Sequence, residues 1–430
     1  MHQVHQVRYP KCVRAVLAAA LLWSIAIVGA IGQSRSLFPG TLDQHPAIDY
    51  RTSALTDPIT VLQRNLTAGS ASLEFEDRFG FLRSLLTTLN VPVESQVLLF
   101  SKTGIQHPFT NPENPRALYF NDRVIVGYIP GAPMLELASH DPRQGVIFQT
   151  LPQEVGLGTP PRFVRPDRCL TCHLSANSLG VPGILVRSMF TEATGRTRPQ
   201  LGSAIVDHRT PLEKRWGGWY VTGTHGAARH MGNAMVSIAL ERGEDAISDR
   251  TLNRGALDAR VDASAYPLPS SDITALLVFD HQGHAMNLLT RLGWETRIAL
   301  ANGVADFSTG DLRALVHDAV DYLLFVDEPA LAAPVRGISR FAEVFSAGGP
   351  RDGKGRSLRE LDFQTRLFKY RCSYMIYSPA FAALPAAARD AVYTRMSAVL
   401  EKRGDTTVIE ILEGTLPSWS TRSPSLIPDP

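Results

Sequence analysis

The sequence predicts an α+β fold, with a small mixed or mostly-β unit near the N-terminus, an irregular middle and a helical C-terminal region. Short runs of β-branched and aromatic residues, separated by turn residues, lie between residues 96 and 148. Gly and Pro then interrupt residues 156–232, and long helical periodicities follow from residue 273. A chain of 430 residues exceeds what one hydrophobic core usually serves, so we expect several units.

The composition excludes several classes of protein. With 44% hydrophobic and 20% charged residues, the chain is neither disordered, collagen-like, a coiled coil nor a multi-span membrane protein. The formal charge is 43 − 41 = +2, and it becomes 40 − 41 = −1 without Arg8, Lys11 and Arg14. A near-neutral chain has no bulk attraction for nucleic acid or anionic lipid. We therefore expect no nucleic-acid partner.

The first thirty residues have the pattern of an export signal. Arg8, Lys11 and Arg14 precede an uncharged apolar run over residues 15–30, which ends in Val28-Gly29-Ala30. Small residues at the last and third-last positions fit a signal peptidase site, so residues 1–30 are predicted to be a signal peptide. One alternative is an uncleaved anchor that tethers the chain to the inner membrane through residues 15–30, although the run is shorter than the ~20 residues that span a bilayer. A buried N-terminal helix is the other.

The N-terminal elements follow from local patterns. Residues 31–72 are predicted to be a linker and approach segment, because they contain Pro and Gly and lack a clear periodicity at their start. A helix is predicted over residues 76–90, where five apolar residues share one face. This helix and the strands belong to a mixed α+β unit over residues 73–155. The predicted strands are residues 96–100, 117–120, 124–128, 135–137 and 145–148.

The remainder divides into an irregular domain over residues 156–300 and a helical region over residues 301–430. Few long periodic stretches occur in the first part of that middle domain. Apolar residues at helical spacing mark the later segments. The predicted helices are residues 273–292, 309–325, 338–345, 358–370 and 385–403.

The strongest chemical signal lies in the irregular middle. Cys169 and Cys172 are separated by two residues, and His173 follows directly, which gives the pattern CxxCH. Two thiols at this spacing can bond to the two vinyl groups of one porphyrin, and the adjoining histidine then ligates the iron on its proximal side. The sequence therefore predicts one covalent haem c. Because bacteria attach haem c outside the cytosol, the motif and the export signal together predict a periplasmic protein.

Two other chemistries can use a Cys-x-x-Cys pair. A thioredoxin-like redox motif requires a βαβ frame, and Pro160, Pro161 and Pro166 disfavour a strand that leads into a helix. A zinc site would require a second pair of ligands at short spacing. Cys372 is far along the chain and lies in an aromatic and apolar stretch, which predicts a buried, inert thiol.

The motif resembles that of c-type cytochromes, and the match is specific over about ten residues. Longer segments are similar to a group of exported mono-haem cytochrome-like proteins, and a weaker resemblance connects the chain to bacterial di-haem peroxidases. That weaker resemblance rests on CxxCH, residues 180–188 and His225-Gly226 in this order. The resemblance implies a haem iron, a cytochrome c-like core and a compartment, and it implies no particular reaction. The longer segments are residues 95–106, 115–128, 215–233 and 372–378.

Residues that could surround the haem follow the motif. Arg215, Trp216 and Trp219 combine a cation with two of the five tryptophans. Aromatic rings can form the walls of a porphyrin site, and an arginine can pair with haem propionates. We expect these three residues to bind the cofactor, with a glycine-rich surface turn as the alternative interpretation.

The sixth position of the iron has four candidates. His225 and His230 lie in the same segment, and either can ligate the iron or move a proton as a catalytic acid–base group. A short loop loses less entropy than a long one when it reaches the haem, which favours these two. Met189 and His281 are the alternatives. For each of the two histidines, a solvated or hydrogen-bonded side chain remains the competing interpretation.

Three classes of function are compatible with these patterns. The first is electron transfer, in which two strong axial ligands block chemistry at the iron. The second is a peroxidase-like haem oxidoreductase with an open distal site. The third is a haem-based sensor or binding module. The expected partner is a redox partner protein or a small-molecule oxidant, and the sequence leaves open whether the protein is an enzyme.

Overall fold

The computed structural model describes residues 42–156, 159–236, 247–248 and 250–420. The described residues form one compact unit. A five-stranded antiparallel sheet is combined with helices, so the predicted α+β class is confirmed. The predicted signal peptide or anchor, residues 1–30, lies outside the described residues.

The sheet is a meander in which each strand pairs with the next one along the chain. Its order is β1-β2-β3-β4-β5, and all the pairs are antiparallel. All five predicted strands are confirmed, and β4 and β5 extend further than the sequence patterns indicated. Their bounds are Val97–Leu99 for β1, Arg116–Phe120 for β2, Val124–Tyr128 for β3, Met134–Asp141 for β4 and Gly145–Pro152 for β5.

The two faces of the sheet have different surroundings, because successive side chains of a strand point to opposite faces. One face belongs to a hydrophobic core that includes Leu98, Tyr119 and Val126. Side chains of the other face line a cavity. They come from Leu99, Arg116, Leu118, Ile125, Glu136, Ala138, Phe148 and Thr150.

Two helices precede the sheet. Helix α1 spans Pro58–Thr67 and α2 spans Leu82–Thr88. The predicted linker over residues 31–72 is therefore wrong for its last part, where the Asp57 side chain caps α1 by accepting hydrogen bonds from the first turn. Helix α2 begins later than predicted, because Glu76 and Gly80 form a reciprocal backbone pair and Gly80 has a φ of +58°.

The middle of the chain is as irregular as its composition predicts. Helix α3 spans only Leu170–His173, and a two-stranded hairpin joins β6, Arg187–Met189, to β7, Ser203–Ile205. Turns and short 3-10 segments make up most of the remaining described residues before residue 273.

Helices dominate the C-terminal half. The 29-residue α4 is buried over most of its circumference, which fits a central helix surrounded by protein. None of the helices within the described residues is long and apolar enough to cross a membrane. The helices are α4, Ile273–Ala301; α5, Gly310–Leu323; α6, Phe341–Ala347; α7, Pro379–Ala382; α8, Ala386–Arg403; α9, Thr406–Thr415; and α10, Pro417–Ser420.

The predicted helix over residues 358–370 is wrong. Most apolar residues of this segment, such as Leu358, Leu367 and Phe368, are buried, as the pattern indicated, but the backbone forms turns. Phe363 has a φ of +53°, and the Asp362 carboxylate accepts hydrogen bonds from the backbone N–H groups of Thr365 and Arg366. Such local side-chain bonds compete with the helical hydrogen-bond pattern.

Candidate haem-binding site

A cavity separates the outer face of the sheet from the CxxCH segment. Its empty volume is about 1200 Å³, including space that opens to solvent. The sheet supplies one wall, the segment around α3 another, and Phe279 of α4 contributes to a third. Most of the lining is apolar, as in pockets that enclose an organic cofactor. The apolar lining includes Leu99, Leu118, Ile125, Phe148, Ile184, Leu185, Trp219 and Phe279.

All three residues of the motif line this cavity. Cys169 ends a 3-10 turn that begins at Asp167, and Cys172 and His173 lie in α3. Both cysteines are free thiols; Cys169 is half-buried and Cys172 is exposed. Burial raises the pKa of the Cys169 thiol. The 3-10 turn and the short helix together therefore present two thiols and an imidazole to the same space.

Hydrogen bonding determines which nitrogen of His173 is free. Its Nδ1 lies 2.9 Å from the carbonyl oxygen of Gly183, and a carbonyl can only accept a hydrogen bond. The proton is therefore assigned to Nδ1, and Nε2 keeps its lone pair with no hydrogen-bond partner among the described residues. Burial lowers the pKa of His173, so the ring is neutral near pH 7. A neutral imidazole with a free Nε2 is what iron ligation requires.

Helix α4 fixes the loop that holds this histidine. The Asn287 side chain accepts a hydrogen bond from Ile184 N and donates one to Ile184 O, both at 2.8 Å. Gly183, which precedes Ile184, also donates its own N–H to the carbonyl of His173 at 2.9 Å. A side chain at Gly183 would collide with Asn287. Asn287 therefore acts on the orientation of His173 through the backbone of residues 183–184.

The cavity also holds an ion pair. Arg116 Nη1 donates to Glu136 Oε2 at 2.7 Å, and the two side chains are 14% and 17% exposed. Two further cations of the lining, Arg168 and Arg187, are exposed. Three arginines and one glutamate give the lining a formal charge of 3 − 1 = +2.

These residues fit a covalent haem. The site offers two thiols, a neutral imidazole, an apolar enclosure and a net positive charge that matches two propionate carboxylates. One buried donor, Arg116 Nε, has no hydrogen-bond partner among the described residues. An unpaired buried donor is costly, and a bound carboxylate or other anion would satisfy it.

Of the three predicted haem-wall residues, only Trp219 lines the cavity. Its indole N–H donates to the carbonyl of Arg187 at 2.9 Å. Arg215 and Trp216 both donate to Asp280 Oδ2 instead, at 3.2 and 3.0 Å, in a buried cluster on α4. The structure therefore does not bring Arg215 and Trp216 to the same place as Trp219.

His225 and His230 lie outside the cavity lining and bind each other. Their Nε2 atoms are 3.2 Å apart. Gly232 N donates to His230 Nδ1 at 3.0 Å, so the proton of His230 is on Nε2 and points to His225. His225 Nε2 also accepts from Asn253 N at 3.1 Å. Burial lowers the pKa of both rings, that of His230 to about 3. Both Nε2 atoms are thus occupied.

The two alternative iron ligands, Met189 and His281, are both buried. Met189 is 2% exposed and packs beneath Gly217, whose carbonyl accepts its N–H. His281 is fully buried; its Nδ1 lies 2.9 Å from His208 Nδ1 and its Nε2 lies 2.6 Å from Ser373 Oγ. Neither residue lines the cavity.

Sequence reasoning missed Arg116, Glu136 and Asn287. Strand alternation contains a weak signal for the first two, because Arg116 and Glu136 fall on the face opposite to the buried Ala117 and Leu137. Nothing in the sequence indicates that α4 reaches the loop after the motif, since Asn287 and Ile184 are 103 residues apart.

Comparisons with known proteins give no match: no family model, no curated protein and no solved structure matches this chain. Within the described residues, no group of three or more His, Cys, Asp and Glu side chains is arranged to hold a metal ion directly. The resemblance to c-type cytochromes stays a prediction that rests on the motif.

Proposed function

We propose that this chain is an exported, periplasmic haem protein that binds one haem c covalently through Cys169 and Cys172, with His173 as the proximal iron ligand, and transfers electrons. The observation that carries the proposal is the hydrogen bond from His173 Nδ1 to Gly183 O at 2.9 Å. It leaves Nε2 free at a cavity that both cysteines also line. A thiol pair with a free imidazole at one mostly apolar cavity is the arrangement that haem c attachment needs.

Electron transfer requires access for a partner. When bound, the haem supplies a one-electron iron couple. The protein supports access because Cys172 is exposed and Arg168 and Arg187 are exposed beside it on the cavity lining. Exposed charges at such a position favour the encounter with a partner of opposite charge.

A haem oxidoreductase with an open distal site is the second candidate function. The observation that favours it is the Arg116–Glu136 pair, a cation and a carboxylate held at 2.7 Å inside an apolar cavity. Groups of this kind can bind and polarise a small oxidant in a water-poor site. None of the four predicted sixth ligands is among the residues that line this cavity.

The experiment that tests the proposal is expression with a cytochrome c maturation system, followed by extraction with acidified acetone. The wild type should keep its colour in the protein fraction, and the Cys169→Ala, Cys172→Ala double variant should release it. Cys372→Ala is the matched control, because Cys372 is a fully buried thiol outside the cavity lining. A wild type that binds no haem, or releases it into acetone, would contradict the proposal. The ferric spectrum separates the two functions: a low-spin iron supports electron transfer, and a high-spin iron supports the open distal site.

A further inference from the structure

The Arg116 guanidinium has more hydrogen-bonding capacity than the protein uses. Its Nη1 donates to Glu136 Oε2, while its Nε is buried without a partner among the described residues. Guanidinium carries five N–H donors in a planar fork, which suits a carboxylate or another anion. The unused donors belong to a residue of the cavity lining.

The carboxylate of Glu136 does not satisfy the remaining N–H donors of Arg116, because its other oxygen is bound to Gln106. Glu136 Oε1 accepts from Gln106 N at 3.3 Å and from Gln106 Nε2 at 3.2 Å, and Gln106 is buried. Both oxygens of the carboxylate are therefore engaged. Glu136 acts as a fixed anchor that holds Arg116 in one orientation.

Two glycines make room for this arrangement. Gly127 on β3 pairs with Leu118 on β2 and Glu136 on β4, and a Cβ there would lie 3.3 Å from Glu136 Cβ, so the glycine leaves space beside the Glu136 side chain. Gly104 lies directly against the guanidinium, and a Cβ there would collide with Arg116 Nη1. The position of Arg116 thus depends on space left by neighbouring residues of the same cavity.

We propose that Arg116 is an anion-binding residue inside the cavity, and that its ligand is a carboxylate of the haem or a small anion bound at the iron. The proposal rests on the proposed function. It adds a residue that neither the CxxCH motif nor the segment after it indicates. The net charge of +2 on the lining fits an anion from either source.

The test uses holoprotein of the wild type and of Arg116→Gln, Arg116→Lys, Glu136→Gln and Gly104→Ala. Arg340→Gln is the control, because Arg340 forms an exposed pair with Glu343, in which the side chains are 75% and 72% exposed. Covalent haem is measured first in each protein. Its absence from the wild type would defeat the proposed function, whereas its presence leaves the role of Arg116 to the following measurements.

If Arg116 binds a haem carboxylate, loss of its charge stabilises the ferric form. We then expect Arg116→Gln to lower the midpoint potential by about 59 mV, a tenfold change in the one-electron equilibrium. Glu136→Gln should raise the potential, and Arg116→Lys should change it less than Arg116→Gln does. Gly104→Ala should shift the potential in the same direction as Arg116→Gln, because the added methyl group displaces the guanidinium.

If Arg116 binds an anion at the iron, the affinity of the ferric protein for fluoride should fall roughly 10- to 100-fold in Arg116→Gln. The affinity for imidazole, a neutral ligand, should stay the same. If the wild-type protein binds no fluoride, an anion at the iron is excluded as the ligand of Arg116. The midpoint potential alone then tests whether Arg116 binds a haem carboxylate. The proposal would be overturned if Arg116→Gln and Arg340→Gln had the same midpoint potential and the same fluoride affinity.

Discussion

The position of one proton decides what each histidine near the motif can do. His173 donates from Nδ1 to a carbonyl and keeps Nε2 free, whereas His230 accepts at Nδ1 and donates from Nε2. The same side chain is therefore a potential iron ligand at one position and a structural donor at the other. Backbone groups next to each ring determine this difference.

At the residue scale, we expect His230→Gln to leave the ferric spectrum of the holoprotein unchanged and to lower its stability. The substitution removes the acceptor of the Gly232 N–H and one of the two donors to His225 Nε2 in a buried site, a loss of roughly 1–3 kcal/mol. Optical spectra and urea denaturation measure the two effects. His45→Gln is a control at a histidine that is only half-buried. A change of spin state in His230→Gln would show that His230 reaches the iron.

At the element scale, α4 connects the haem motif to the helical half of the protein. Asn287 holds both polar groups of Ile184, and Arg291, one turn later, donates to the carbonyl of Leu179. Both contacts fix the loop that begins after His173. The helix thus positions His173, the proposed iron ligand, which lies more than 100 residues earlier in the chain.

We expect Asn287→Leu to raise the midpoint potential of the holoprotein. Without Asn287, the backbone at residues 183–184 is free to move, and the Nδ1–H bond of His173 weakens. A weaker bond makes the ring a poorer donor to ferric iron, with an effect on the order of 20–60 mV, the equivalent of one hydrogen bond. Potentiometric titration measures it.

Asn302→Ala is the matched control for that prediction, because Asn302 is exposed at the C-terminal end of the same helix. Asn287→Asp should give an intermediate shift, since the carboxylate still accepts from Ile184 N but no longer donates to Ile184 O. An Asn287→Leu protein with the potential of Asn302→Ala would show that α4 does not control His173.

At the scale of the whole molecule, buried histidines make stability depend on pH. Burial lowers the pKa of His140 to about 4 and those of His230 and His281 to about 3, from an ordinary value of 6.5. Between these values and pH 6.5, the unfolded chain binds protons that the folded chain does not. Asp280 has the opposite effect, because burial raises its pKa to about 7.

The three histidines add more protons to the unfolded chain than the one aspartate adds to the folded chain. We therefore expect the free energy of unfolding to decrease as the pH falls from 6.5 to 4. Each excess proton bound by the unfolded chain contributes about 1.4 kcal/mol per pH unit. Urea denaturation at pH 7, 6 and 5 measures the slope. His140→Gln should reduce the slope by about one proton. A stability that is constant or rises from pH 7 to pH 5 would contradict this account.

Local sequence patterns predicted the strands and most of the helices, because alternation and helical periodicity report burial directly. The prediction of a helix over residues 358–370 was wrong, because the Asp362 side chain accepts hydrogen bonds from the backbone of its own turn. The spacing of apolar residues does not reveal this competition. The motif identified Cys169, Cys172 and His173. His225 and His230 were predicted as sixth ligands because they are near the motif in sequence. In the fold, side chains of the sheet line the cavity instead.

The residues of the candidate site that the sequence did not predict depend on long-range contacts. Arg116 and Glu136 meet across three strands, and their pairing depends on a register that single strands do not specify. Asn287 acts on a loop that only the packed molecule brings near it. Residue types at short spacing predict the attachment chemistry, whereas the surroundings of the proposed cofactor depend on tertiary structure.

Mass spectrometry of a tryptic digest shows whether one haem is attached covalently. Trypsin cleaves after Arg168 and Arg187, which releases residues 169–187 with both thiols and His173 on one peptide. For protein made with a maturation system, we predict that this peptide carries the added mass of one haem. A peptide of unmodified mass, with both cysteines free or joined in a disulfide, would contradict the account.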